Sequence, residues 1–250
     1  MNKELKILYG HGRQFIPDLR KQPVSERFRG LPVIPDDITG NEIKAVSAMC
    51  PVSAIDRQTG AIDLGKCAFC NECALLLPGR IRFTNDYRIA SNKREDLVIR
   101  PGQAGPLRID DTLIRKDVRR LFKKALKLRE VSAGGDNSCE MELAATGNVN
   151  FDFGRYGIEF VASPRHADGI VITGPVTENM ARALEICYDA VPSPKIIILA
   201  GTDAISGGIF EGSPALNRSF ISDHHIDLYV PGNPAHPLTF INGVMDLLGL

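Results

Sequence analysis

Neither sign of charge prevails in this sequence: Lys plus Arg and Asp plus Glu each number 30 in 250 residues. A surface without net charge gives no footing for a nucleic-acid or anionic-membrane partner. Long apolar runs are missing too. None approaches the roughly 20 residues that a membrane-spanning helix needs, so membrane association is expected to come through partner subunits. The opening stretch MNKELKILYGHGRQ has no apolar centre and no small-residue cleavage site. Export is therefore not expected, and the chain is placed in the cytoplasm. No internal repeat, Ser-His-Asp constellation or paired-carboxylate arrangement stands out, and the chain is not expected to hold a substrate-converting site. The glycine-rich run Gly201–Gly208, GTDAISGG, lacks both a Lys-Ser/Thr ending and dinucleotide-fingerprint spacing.

What the sequence does have is a cysteine pattern. Three of its six cysteines stand as Cys67-x-x-Cys70-x-x-Cys73. That spacing crowds the thiols too closely for a simple disulfide framework and favours metal ligation in a reducing compartment. Bacterial-type ferredoxins carry C-x2-C-x2-C-x3-C-P runs, in which the fourth cysteine of one run ligates the cluster held by the other. Here Cys67, Cys70 and Cys73 fill the first three positions of a run whose fourth is Leu77, followed by Pro78. The other run is the mirror case: Cys50-Pro51 is present, but the three preceding positions are Gly40, Ile43 and Val46. One ligand set is thus complete and the other empty. A four-cysteine zinc site and four free thiols are the alternatives. Zinc usually takes paired C-x2-C elements, whereas three cysteines spaced by two suit one [4Fe–4S] cluster held by Cys50, Cys67, Cys70 and Cys73.

The chain changes texture along its length. Residues 1–34 are mixed and basic and read as an extended, partly ordered arm. Residues 35–100 hold the four cysteines and short strand-like runs, Ala61–Leu64 and Ile81–Thr84, as a small α+β ferredoxin-like [4Fe–4S] domain. Residues 101–130 read as a linker, PGQAGP, and an amphipathic helix over 112–129 with Ile114, Val118, Leu121, Phe122, Ala125 and Leu128 on one stripe. Residues 131–250 alternate strands and helices. The apolar runs Ile158–Ala162, Ile170–Thr173, Ile196–Ala200 and Leu228–Val230 predict buried parallel strands. Helices are expected over Thr177–Val191 and Pro237–Leu248, giving an α/β class. Cys187 is expected to be a core cysteine, and His224 and His225 a solvated loop pair.

Five separated motifs occur in order over residues 136–250: Asp136-Asn-Ser-Cys139-Glu-Met-Glu, Ser163-Pro-Arg-His-Ala-Asp168, Thr173-Gly-Pro-Val-Thr-Glu-Asn-Met180, Gly201-Thr-Asp203-Ala-Ile-Ser-Gly-Gly-Ile-Phe210 and Val230-Pro-Gly-Asn233-Pro-Ala-His-Pro237. This region resembles the small subunit of energy-converting [NiFe] hydrogenases of the formate hydrogenlyase type. It equally resembles the complex I subunit that carries the last cluster before quinone. The cysteine-bearing part resembles the electron-transfer subunit of the same complexes, so the chain looks like a fusion of two neighbours. The resemblance implies a flavodoxin-like parallel-sheet domain after the ferredoxin-like one. It implies a partner of the hydrogenase large-subunit or quinone-module type, membrane subunits, a ferredoxin donor, and a place on the inner membrane face through those partners.

In the hydrogenase-type members, four cysteines hold a proximal cluster. The corresponding positions here are Asp136, Cys139, Asp203 and Asn233, and only one is cysteine. The resemblance therefore implies a degenerate proximal site that has lost its cluster. Asp136 and Asp203 would bond each other, or Arg165 or His166, on a face that docks the large subunit. Two roles follow: an iron–sulfur electron-transfer subunit, or a non-catalytic scaffold whose single cluster is structural. A stand-alone flavin carrier is disfavoured because Ser163-Pro-Arg-His is not a hydroxyl-rich phosphate loop.

Overall fold

A computed structural model describes every residue except Met1, Arg13 and Ala104. Ala104 falls within the stretch expected to be a linker and so lies outside the described residues. The chain opens on helix α1 (Lys3–His11), none of whose residues is buried. Beyond it Leu19 is fully buried, and Leu31 and Ile34 join a core. The arm expected over 1–34 is thus part helix and part packed chain. Its apolar residues are spaced widely enough to look like surface in sequence.

The cysteine-bearing region contains β1 (Pro32–Val33), α2 (Gly40–Met49), β2 (Ile62–Asp63), α3 (Glu72–Leu76), β3 (Arg82–Phe83) and β4 (Val98–Ile99). β1 pairs antiparallel with β3, and β2 with β4. The rest of the chain comprises α4 (Lys116–Phe122), β5 (Leu126–Ser132), α5 (Ser138–Ala145), β6 (Ile158–Phe160), β7 (Gly169–Thr173), α6 (Glu178–Ala190), β8 (Ile196–Ala200), α7 (Thr202–Ser206), α8 (Ser219–Asp223), β9 (Leu228–Val230) and α9 (Pro237–Leu248).

Strands β5 to β9 form one parallel sheet in the order β6-β5-β7-β8-β9. Counted within the sheet this is 2-1-3-4-5, the doubly wound order whose crevice opens at the strand carboxyl ends between the first and third strands. The helix expected over 112–129 ends at Phe122 instead. Leu126 and Leu128 are buried on a strand, with Lys127 exposed between them. The period-2 alternation overrode a helical stripe that Leu128 happened to continue.

Every residue of β7 and β8 is buried, because both sheet faces are covered. The two faces meet two cores. Val171, Ile196 and Ile198 pack with α9, of which only Asp246 is not buried. Ile170, Ile172, Ile197 and Leu199 pack on the other side with Leu184 of α6 and with Leu31, Ile62, Leu64, Ile81, Leu97 and Ile99 of the cysteine-bearing region. That region and the sheet therefore share one continuous apolar core.

The crevice between β5 and β7 depends on close backbone approach. Gly174 follows β7 at φ +75°, and a β-carbon there would lie 2.5 Å from the Gly135 nitrogen. Gly174→Ala is expected to destabilise the protein by about 1–2 kcal/mol through its left-handed conformation, with the clash against Gly135 added. Denaturant unfolding followed by circular dichroism checks it. An unchanged midpoint would show that the crevice yields freely.

Candidate functional site

Four cysteines from three pieces of chain converge on one cavity. Helix α2 delivers the first. Its start is fixed reciprocally: the Thr39 hydroxyl accepts from the Glu42 N–H, and the Glu42 carboxylate accepts from the Thr39 N–H at 2.7 Å. Arg80 donates to Glu42 and to Asp37, each at 2.9 Å. The helix ends on Cys50, whose N–H returns to the Val46 carbonyl at 3.1 Å. Cys67 hangs from Asp63: its N–H donates to the Asp63 carbonyl at 2.9 Å, and Arg94 clamps the Asp63 carboxylate with two bonds of 2.8 and 2.6 Å. Cys73 rides on α3 and Cys70 lies in the turn before it.

The cavity is small, about 20 Å³, and is lined by all four thiols together with Val52, Ile55, Ile62 and Phe83. Cys67 is buried, Cys50 and Cys73 half-buried, and Cys70 exposed. Two sulfurs receive backbone donors: the Ala54 N–H points to Cys50 Sγ and the Phe69 N–H to Cys67 Sγ, each at 3.3 Å. Phe69 and Asn71 take left-handed backbone conformations in this loop. Asn tolerates that region, whereas for Phe it is a strained choice held in place by its surroundings.

Burial pushes the Cys67 thiol up to about 12 and the Cys73 thiol to about 11, and the neighbouring cysteines oppose ionisation further. An apolar cage of this kind holds thiolates only when a cation compensates them, so the donor set fits a soft metal centre. Among the described residues no group of three or more His, Cys, Asp or Glu is placed to hold a single metal ion. The thiols share a cavity without closing on one point.

The second constellation lies where β5, β8 and β9 end. Asp136 Oδ1 accepts from the Ser138 N–H at 2.9 Å and from its hydroxyl at 2.6 Å, which places Asp136 below the usual carboxylate range. Cys139 is buried on α5 and is pushed up to about 12 by burial. A β-carbon at Gly201, which sits at φ +93°, would lie 2.4 Å from its sulfur. Asp203 Oδ1 is buried and has no hydrogen-bond partner among the described residues, and burial followed by the nearby Asp136 raises its carboxyl. Asn233 is exposed in the loop after β9.

Arg165 and His166 do not join this group, contrary to the expected pairing and docking face. They precede β7 and line a cavity with Lys127, Asp168 and Pro194, at the end of the sheet where strands begin. In a parallel sheet, residues before a strand lie opposite residues after one. Cys187 is half-buried, and His224 stacks on Phe220 with ring centroids 4.1 Å apart.

Thr202 carries no motif that would single it out in sequence. Its hydroxyl lies 3.0 Å from the Cys67 carbonyl and 3.1 Å from the Gly232 carbonyl, and it is fully buried. This one side chain joins the cysteine loop to the β8 and β9 ends of the second constellation. Such a contact spans 135 residues of chain, and nothing local announces it.

Residues 137–247 match the family described as NADH ubiquinone oxidoreductase, 20 Kd subunit. The chain is 36% identical over 115 residues to "Probable membrane-bound hydrogenase subunit mbhJ" of Pyrococcus furiosus, covering 46% of this chain and 69% of that one. It is 34% identical over 147 residues to "Formate hydrogenlyase subunit 7" of Escherichia coli K12, covering 58% of each chain. It is 36% identical over 152 residues to the B-type subunit of the NADH-quinone oxidoreductase of Heliobacterium modesticaldum, covering 55% of this chain and 87% of that one.

Thr202→Val is expected to leave the Cys67 carbonyl unpaired in the core and to cost about 1–3 kcal/mol in denaturant unfolding. Wild-type stability in that variant would show that packing alone holds the loop. A pH effect follows from α2. Hydrogen bonds, first from Arg80 and then from Thr39, bring Glu42 from 4.5 down to about 2. Its stabilisation is therefore complete above its unfolded value and fades as pH falls toward about 2. In Arg80→Met the acid-unfolding transition, followed by circular dichroism, should move to higher pH.

Proposed function

The chain belongs to the NADH ubiquinone oxidoreductase 20 Kd subunit family, and on that premise we propose that it is an iron–sulfur electron-transfer subunit. The complex it serves is a membrane-associated oxidoreductase of the hydrogenase-related or complex I-like kind. One observation carries the reading: four cysteine sulfurs line a single apolar cavity, two of them already accepting backbone N–H bonds. In this reading Cys50, Cys67, Cys70 and Cys73 hold one [4Fe–4S] cluster, within a ferredoxin-like domain over 35–100 that precedes the family domain over 131–250. A bound cluster supplies one-electron transfer, at a potential set by hydrogen bonds to sulfur and by exposure. The Ala54 and Phe69 amides stabilise negative charge on Cys50 and Cys67, which favours the reduced state. Exposed Cys70 marks the side where a donor such as a ferredoxin approaches.

The proximal position is proposed to be without a cluster. Asp136 is exposed and engaged by Ser138, and Asn233 offers only a neutral amide oxygen. Cys139 is then a lone buried thiol. Partners of the large-subunit or quinone-module type, with membrane subunits beneath them, complete the assembly and hold the chain on the inner membrane face. No helix among the described residues is long and apolar enough to cross a membrane.

A scaffold role is the second reading, favoured by the core that the cysteine-bearing region shares with the sheet. There the cluster would only stabilise the fold.

Purified without oxygen, the chain should carry about four iron and four sulfide, as one cubane requires. Zinc without acid-labile sulfide would sink the proposal. Cys70→Ala should abolish the iron, while Cys187→Ala and Cys139→Ser leave it unchanged. Paramagnetic resonance of the reduced protein should show a single cluster signal. A second signal dependent on Cys139 would show the proximal site to be alive. A cluster that resists reduction while remaining essential for folding would decide for the scaffold.

A further inference from the structure

A cavity of about 200 Å³ opens at the N-terminal end of α9, separate from the four-cysteine cavity but with Phe69, two residues beyond Cys67, in its wall. We propose that it binds a small organic anion, with the charged head between Arg27 and Arg29 and the apolar body against Phe28 and Phe69.

Several independent features favour negative charge there. Helix α9 has 12 residues, and its positive end faces the cavity through His236 and Thr239. Arg27 and Arg29 are exposed and enter no ion pair among the described residues, so both guanidiniums are available. Thr239 is only 1% exposed, lines the cavity, and its hydroxyl has no partner among the described residues. A buried hydroxyl without a partner is unfavourable, and a ligand oxygen would satisfy it. His236 accepts the Leu238 N–H on Nδ1 at 3.1 Å. Burial keeps the ring neutral, so its proton sits on Nε2, where it is a further donor.

Glu142 on α5 also lines the cavity, and its carboxyl is raised by burial. Its charge repels an anionic head and keeps that head on the arginine side. Ile89, Pro231, Pro234 and the polar Asn233 belong to the lining as well, and Phe28 is held edge-on to His236 with ring centroids 5.0 Å apart. An apolar or planar body therefore has a surface to lie on. None of this depends on a metal being bound at the cysteines.

The test is titration calorimetry on the full-length chain at constant ionic strength, with phenyl phosphate, inorganic phosphate and phenol as probes. Phenyl phosphate should bind saturably and at least about tenfold more tightly than inorganic phosphate, with no detectable phenol binding. The double variant Arg27→Ala, Arg29→Ala should weaken phenyl phosphate at least about tenfold. Both arginines are exposed, so its melting temperature should match the wild type. Thr239→Val should weaken binding several-fold, and Glu142→Gln should strengthen it. Absence of saturable phenyl phosphate binding would overturn the proposal. So would equal affinity for inorganic phosphate, or affinity unchanged in the double arginine variant.

Discussion

The apolar core that runs from the cysteine-bearing loops onto one face of the parallel sheet constrains everything else in this molecule. Ile62, Leu64 and Ile99 on one side and Ile170, Ile172 and Leu199 on the other belong to the same packed cluster. Protein interiors are packed too densely for one half of such a cluster to shift without the other. The loop bearing Cys67 is therefore positioned by the sheet as much as by its own strands. Thr202 adds direction to that packing, since its hydroxyl fixes where the Cys67 carbonyl meets the end of β8. The short two-residue strands of the cysteine region could not form a stable unit from their own pairing.

Two constellations with different chemistry sit at either end of the Thr202 bridge. The first gathers four sulfurs in an apolar cage and supplies backbone donors to two of them. The second mixes carboxylates, one thiol and an amide, with hard oxygen donors predominating. Soft and hard donors select different partners. The two sites are therefore not interchangeable versions of each other, in keeping with the degenerate proximal position that the resemblance to hydrogenase subunits implies. Asp203, with one buried oxygen unpartnered, is the least settled group of the second set.

The fold is most legible in sequence where both faces of a strand are buried. Ile170–Thr173 and Ile196–Ala200 are continuous apolar runs, and they lie in strands β7 and β8. β5 is hidden because only one residue in two is buried near its start, and Lys127 and Arg129 resemble the basic face of the preceding helix. The four cysteines stand out in sequence by their spacing, and all four line one cavity in the structure. Arg165 stands at the opposite end of the sheet from the expected docking face, and strand order alone contains the reason: Ser163–Asp168 comes before β7 and not after it. Long-range pairings such as Thr202 with Cys67, or Arg80 with Glu42, have no local signature. The cavity at α9 draws residues from near position 28, from the loop leading into α3 and from the C-terminal helix, and no window of sequence contains them together.

The unequal exposure of the four thiols has a consequence for how the site is filled and emptied. Cys67 is sealed behind the β8 loop, while Cys70 faces solvent. Of the four sulfurs, Cys70 is the most open to anything delivered to the cavity and Cys67 the least. Oxidants reach the same corner first. Maturation and decay of the site then share that exposed corner, and a protein docked over Cys70 would cover it for both. Occupancy of that surface would thus govern the lifetime of the proposed cluster as well as access to it.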